Sequence, residues 1–222
     1  MSEVVNWGRY FDEKLKRERD LHKKAGYNSI KSLKLRLDPV SEILNECNVN
    51  SYVLDAGCGV GIFLNLLRKK GFRKIVGIDL SVNAIKESRR MCECDSVIGD
   101  ILKLPFKDNI FDIILCIEVL IHIADIRPVF SEFKRVLKKE GRLIIINANP
   151  NRIFIKSKPS SLILRGKEEI RYALEMKEFS IKREIDLPIP VIGSKFLFEL
   201  FRKLRIPLDL CHSFLIEAIK ER

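Results

Sequence analysis

The chain contains no glutamine and no threonine. Glutamine depletion is one mark of heat-adapted proteins, but eleven asparagines and six cysteines run the other way, so composition assigns no thermal origin. Long apolar runs are also missing. The most apolar stretch, Ile110 to Ile123, is broken by Asp112, Glu118 and His122 and is too short and too charged to span a bilayer. The opening residues, MSEVVNWGRYFDEKLKRERD, hold no apolar signal core. Together these absences predict a soluble cytoplasmic protein without a transmembrane segment. No internal repeat and no low-complexity segment is found. The cysteines (Cys47, Cys58, Cys92, Cys94, Cys116, Cys211) are scattered, and Cys92–Cys94 is the sole close pair. Without a second Cys/His pair nearby it makes a poor zinc site, so free thiols and no metal are expected.

What remains is an ordinary globular composition. The 222 residues are 46% apolar and 32% charged, enough for one domain with a sizeable core and a small appendage. The net charge of +11 is uneven. Residues 1–40 carry ten Lys/Arg against six Asp/Glu, residues 41–149 sixteen against fourteen, and residues 150–222 fifteen against ten. Basic ends suit a nucleic acid, an anionic surface or an acidic substrate, but the signs are mixed rather than blocked, which is the pattern of a solvated face.

The hydrophobic pattern alternates strand and helix. Residues 39–47 (PVSEILNEC) read as a short helix with Pro39 near its start. SYVLDAG is a strand, and GIFLNLLRKKG a helix stopped by Gly71. KIVGIDLS is a second strand, followed by a helix that Ser81 caps. DSVIGDI makes a third strand. FDIILCIEV is a fourth, whose continuous apolar core is that of a parallel strand buried on both faces. RPVFSEFKRVLKKEG reads as a helix ended by Gly141, before the strand RLIIINAN. Beyond residue 150, KEEIRYALEMKEF looks helical, SIKREIDLP and HSFLIEAIK look like strands, and residues 191–210 carry an apolar helical stripe suited to covering a site or touching a lipid. The order predicts an α/β fold: a Rossmann-like, doubly wound, mostly parallel seven-stranded sheet with helices on both faces. Three parts are expected: a helical lid at 1–38, a ligand-binding core at 39–150, and a C-terminal part at 151–222 that completes the sheet and covers the acceptor site.

The stretch VLDAGCGVG decides the ligand class. A phosphate-binding P-loop needs Lys and Ser/Thr after its last glycine, where this chain has Ile62 and Phe63. The dinucleotide pattern G-x-G-x-x-G fails because the third glycine, Gly61, comes one residue early. VLDAGCGVG, IVGIDLS, GDILKLPFKDNIFDIILCIEVLIHI and RVLKKEGRLIII, in that order, resemble the successive motifs of class I S-adenosylmethionine-dependent methyltransferases, in particular the small-molecule (type 11) branch that includes quinone- and sterol-methylating enzymes. The likeness covers roughly residues 40–150.

The resemblance implies a cofactor, S-adenosylmethionine, and a set of residues around it. Gly57, Cys58, Gly59 and Gly61 would let the backbone approach the ligand, and the helix that follows would offer free N–H groups to the methionyl carboxylate. Asp55 would orient the loop and contact the methionyl amine through water. Asp79, at the end of the second strand, would hold the ribose hydroxyls, with Leu80 packed on adenine. Asp100 would accept from the adenine amino group, and the Ile101 N–H would serve a ring nitrogen. The backbone of Cys116 would line the methionyl side. His122, in EVLIHI, is the candidate general base.

A methyl group on a sulfonium is already electrophilic, so the enzyme chiefly places an acceptor in line and excludes water. The acceptor is therefore poorly encoded. After the fourth strand CIEV lacks the prolines of enzymes that methylate exocyclic base amines, and Cys116 lacks the Pro usually found beside a cytosine-attacking thiol. A small-molecule acceptor, lipid- or quinone-like, is the favoured reading. An RNA or protein methyltransferase docking through basic ends, or a SAM-binding protein without catalysis, are the alternatives. Trp7, Tyr10, Phe11, His22 and Tyr27 are candidates to face the acceptor.

Overall fold

The computed structural model describes residues 6–27, 29–150, 162–187 and 213–221. The apolar stripe expected at 191–210 lies outside them. Among the described residues no helix is long and apolar enough to cross a membrane.

Helices α1 (Trp7–Arg17), α2 (Leu21–Lys24) and α3 (Ile30–Asn45) precede the sheet. The core then alternates β1 (Val53–Ala56), α4 (Ile62–Lys69), β2 (Ile75–Asp79), α5 (Val82–Cys92) and β3 (Asp95–Ile98). It continues with β4 (Phe111–Ile117), a short 3-10 turn at Leu120–His122, α6 (Arg127–Val136), β5 (Leu137–Ala148), α7 (Lys167–Glu175), β6 (Phe179–Leu187) and β7 (Ser213–Lys220). The seven strands form one sheet in the order β3-β2-β1-β4-β5-β7-β6. The first five pair in parallel, and β7 inserts antiparallel between β5 and β6.

The continuous apolar strands are explained by the period of two. Ile114 and Cys116 of β4, Leu143 and Ile145 of β5, and Phe214 and Ile216 of β7 face Phe130, Phe133, Ile170 and Leu174 of α6 and α7. Their neighbours Ile113, Leu115, Ile144 and Leu215 face the opposite layer: Val40, Ile43, Phe63, Leu64 and Ile85 of α3, α4 and α5. Both faces are covered, so polar alternation is impossible in the central strands.

Two sequence expectations need correction. The helix expected at 39–47 begins at Ile30, capped by the Ser29 hydroxyl, which accepts from the Ser32 N–H at 3.1 Å. Pro39 sits inside it and is buried, and the helix runs through the boundary drawn between residues 38 and 39. An interior proline costs roughly 3 kcal/mol, and here the anchoring of Arg36 and the burial of Val40, Ile43 and Leu44 outweigh it. The helix expected to reach Gly141 ends at Val136. The Asn109 and Ile110 N–H groups take the carbonyls of Arg135 and Val136 at 2.9 Å each, and Leu137 pairs with Phe111 as strand. Gly141 thus lies in β5, beyond an irregular register between Phe111 and Ile113. Ser81 caps α5 as expected, accepting from the Ala84 N–H at 3.0 Å.

Candidate functional site

A cavity of about 560 Å³ opens at the carboxyl ends of β1, β2 and β4, the edge at which parallel α/β sheets hold ligands. One wall is the sheet edge, with Gly57, Gly59, Asp79, Gly99, Asp100 and Glu118. The other is α1, which lays Trp7, Tyr10, Phe11 and Lys14 over the opening.

The glycine loop has two different reasons for its glycines. Gly57 has φ +81°, and a Cβ there would lie 2.3 Å from Val119 Cγ2, so the side chain is excluded by the protein itself. At Gly59, with φ +50°, a Cβ would meet nothing within 4 Å. Gly59 also lines the cavity.

Asp79 is the best-placed acid. Oδ2 accepts from the Gly59 N–H and Oδ1 from the Ser81 N–H, both at 2.9 Å, which ties the end of β2 to the glycine loop. Burial pushes its pKa up, against the pull of these N–H groups. Asp100 lies across the cavity, its Oδ1 accepting from the Leu102 N–H at 2.9 Å. Leu80 (45% exposed) presents an apolar flank at the rim, and Ile101 also lines the wall. Asp55 lies beneath, fully buried, with Oδ2 lacking a hydrogen-bond partner among the described residues. Burial first, and then the charge of Asp79, raise its pKa to about 8.

Of the expected cofactor residues, Gly57, Gly59, Asp79, Leu80, Asp100 and Ile101 line the cavity, while Asp55, Cys58, Gly61 and Cys116 do not. Cys58 packs toward Gly77, and Gly61 caps α4 against Ser88. Cys116 is wholly buried in β4, and burial raises its thiol pKa, which removes it as a nucleophile at neutral pH. Among the aromatic candidates Trp7, Tyr10, Phe11 and Tyr27 line the cavity and His22 does not.

His122 is held by rings. Trp7 lies 4.2 Å and Phe11 5.2 Å away between centroids, and Nδ1 is buried without a hydrogen-bond partner among the described residues. Desolvation lowers its pKa to about 4, with Glu118 opposing and Lys14 assisting. The imidazole is therefore neutral at pH 7 and able to accept a proton.

Sequence reasoning missed a buried polar knot beside the cavity. Arg36 of α3, 2% exposed, donates from Nε (3.0 Å) and Nη2 (2.8 Å) to Glu118 Oε1, and the Ser213 hydroxyl of β7 donates to the same oxygen at 2.9 Å. Glu118 has φ +58°, an uncommon backbone state for a non-glycine residue, just past β4. Nothing local marks this pair, because its partners stand 82 and 95 positions apart. Lys14 was also missed, although it follows Trp7 and Phe11 on one helix face, and that spacing was the available signal.

Helix α1 is tied to the core. Asp12 Oδ1 accepts from the Ser81 hydroxyl and, at 2.9 Å, from the Asn83 N–H, so an α1 residue caps α5. Lys24 Nζ adds an ion pair to Glu87 at 3.1 Å.

A sheet of this order, with a glycine-rich first turn and acids ending the next two strands, defines a Rossmann-like ligand-binding α/β domain. Residues 54–145 match the family described as "Methyltransferase domain". A Methanocaldococcus jannaschii protein is 43% identical over 101 residues, which cover 44% of this chain and 40% of that protein. The demethylmenaquinone methyltransferase of Thermotoga maritima is 34% identical over 113 residues, 50% of this chain and 49% of the enzyme. The chain thus matches about half or less of these curated relatives. A crystal structure of the geranyl diphosphate C-methyltransferase of Streptomyces coelicolor shares the fold, with a TM-score of 0.67, 17% identity and 96% coverage of both chains.

Proposed function

We propose that the chain transfers a methyl group from S-adenosylmethionine to a small-molecule acceptor of lipid- or quinone-like character. The observation that carries this reading is the split character of the cavity. Its sheet wall is polar and suits an adenosine: Asp79 and Asp100 as acceptors, Leu80 as an apolar flank, and open space at Gly59. Its other lining is largely aromatic and aliphatic, from α1 (Trp7, Tyr10, Phe11) and from Ile121, Ile123 and Leu162, with Lys14 among them.

The residues fit the cofactor. The carboxyl of Asp79 offers acceptor oxygens at the cavity wall, and the glycine turn after β1 has open space at Gly59. When bound, S-adenosylmethionine supplies an electrophilic methyl group on a sulfonium. The protein's part is to hold Asp79 aimed by the Gly59 and Ser81 N–H groups, to exclude water with α1, and to keep His122 neutral. An acceptor hydroxyl or enol that must lose a proton meets His122 as base. The apolar lid wall favours a hydrophobic acceptor over an RNA.

The experiment is calorimetric titration with S-adenosylmethionine and S-adenosylhomocysteine, with Asp79→Ala beside the native chain, followed by transfer of labelled methyl to isoprenoid quinols and other apolar acceptors. Binding lost in Asp79→Ala and label in an apolar product support the reading. No binding by the folded native chain overturns it.

A further inference from the structure

The loop that carries His122 cannot hold its own shape. It leaves β4 through Glu118, whose φ is +58°, and its one regular element is the three-residue turn Leu120–His122. A single 3-10 turn has poor hydrogen-bond geometry and no cooperative support. Within it the His122 N–H donates to the Val119 carbonyl at 3.0 Å, and the Ile123 N–H to that of Leu120 at 3.2 Å. The remaining anchors come from a distant part of the chain.

Arg165, 4% exposed, turns its guanidinium onto this loop. Nη1 donates to the Leu120 carbonyl at 3.0 Å, and Nη2 to those of Ile123 at 2.8 Å and Ala124 at 2.6 Å. Two residues earlier, the Ile163 N–H donates to the Ile121 carbonyl at 2.8 Å. Carbonyls on both sides of His122 are thus fixed by one short segment. A buried cation is expensive, and an apolar side chain would fill the same space at less cost. What an apolar side chain lacks is a planar fork of donors that can span three carbonyls at once. The remaining donor, Nε, meets Glu169 Oε1 at 3.0 Å, and that side chain is 59% exposed. The ion pair therefore ends at the surface, while the fork faces inward. Arg165 does not line the cavity, whereas His122, Ile121 and Ile123 do. It acts through the loop.

We propose that Arg165 is a positioning residue for His122: its fork fixes the loop from Leu120 to Ala124 and so keeps the imidazole seated against Trp7 and Phe11, at the cavity and shielded from water. The proposal rests on the reading of His122 as base given above, and it adds a residue 43 positions away to the machinery of that base.

The chain carries its own probe. Trp7 is the single tryptophan and lies 4.2 Å from His122 between centroids. A protonated imidazole in contact with an indole quenches its fluorescence, so emission of the ligand-free protein against pH reads the proton on His122. The charged groups acting on that ring are Glu118, at the end of β4, which favours the proton, and Lys14 of α1, which opposes it together with the stronger effect of burial. The native chain should keep its emission down to about pH 5. In Arg165→Met water reaches the ring, and the quench should move up by about one pH unit or more, toward the 6.5 of a free imidazole. Adding His122→Phe should abolish it. Arg165→Lys keeps the charge without the fork and should fall between; it carries the test should Arg165→Met fail to fold. Lys220→Met removes a buried anchor of Asn109 and Leu137 at the opposite edge of the sheet and should leave the native response. Affinity for S-adenosylhomocysteine, by calorimetry, should stay within about twofold of native in Arg165→Met.

A midpoint in folded Arg165→Met within about 0.3 units of native overturns the proposal. So does an equal shift in Lys220→Met, which marks general loosening, or a tenfold loss of S-adenosylhomocysteine affinity in Arg165→Met, which marks support of the whole cavity. A native chain already quenched near pH 6.5 refutes the shielded imidazole and the proposal with it. If the native chain shows the Arg165 shift but binds no S-adenosylhomocysteine, the anchoring of His122 stands and the methyltransferase reading falls.

Discussion

Replacing Asp55 with Asn probes the most unusual group in the site. In the unfolded chain its carboxyl titrates near the ordinary 3.8, and in the fold near about 8, mainly through burial. Between those values the native state keeps a proton that the unfolded state releases. Stability must therefore fall as pH rises, by up to about 1.4 kcal/mol per unit. Integrated from pH 5 to pH 7, the loss is about 2.5 kcal/mol, a large share of a typical folding free energy. His122 acts in the opposite sense. Its pKa is lowered from 6.5 to about 4, so the unfolded state binds the extra proton and stability rises with pH across that window. The native profile alone is thus a composite, to which Asp79 adds in the same sense as Asp55, and the difference between native chain and variant isolates the Asp55 contribution. The assay is urea unfolding of the ligand-free protein and of Asp55→Asn at half-unit steps. The native-minus-variant difference should decline by about 2.5 kcal/mol between pH 5 and 7. A difference flat to within about 0.5 kcal/mol would refute the reasoning, because it would mean Asp55 is ionised in the fold and has a cationic partner.

Three further outcomes are expected. Arg36→Met takes the guanidinium from Glu118 and should cost about 3 to 5 kcal/mol in urea unfolding, whereas Arg36→Met combined with Glu118→Leu should cost clearly less. Gly57→Ala should destabilise by about 2 kcal/mol or more through collision with Val119, and Val119→Ala in the same chain should recover part of that in the melting temperature. If His122 is the base, the acidic limb of the methyl-transfer rate should fall near pH 4 rather than near the 6.5 of a free imidazole, and His122→Ala should lose about 100-fold in rate without losing cofactor affinity.

Much of the architecture was legible because local rules and tertiary packing agree there. The doubly covered strands announce themselves as uninterrupted apolar runs, Ser81 stands where a cap is needed, and Gly71 takes the left-handed backbone (φ +92°) that stops a helix. Reading failed where a distant partner overrules a local signal. Pro39 looks like a beginning, but the packing of α3 carries the helix past it. Residues 137–140 look helical, yet the Asn109 and Ile110 amides end the helix first. In the site, Asp79 and Asp100 were readable from their places at strand ends. Arg36, Ser213 and Lys14 were not, because their roles exist only after α3, β7 and α1 have docked.

The knot at Glu118 also has a temporal meaning. Its acceptor oxygen is reached from Arg36 in one direction along the chain and from Ser213 in the other, with 177 positions between the two donors. Contacts of such separation close late, because the loop entropy they require is lost before they contribute. On a ribosome, the parallel half of the sheet emerges and can collapse well before β7 exists. The pocket beside Glu118 is thus the last region to mature. Ligand added during refolding should find its site only when the final strand has been threaded between β5 and β6.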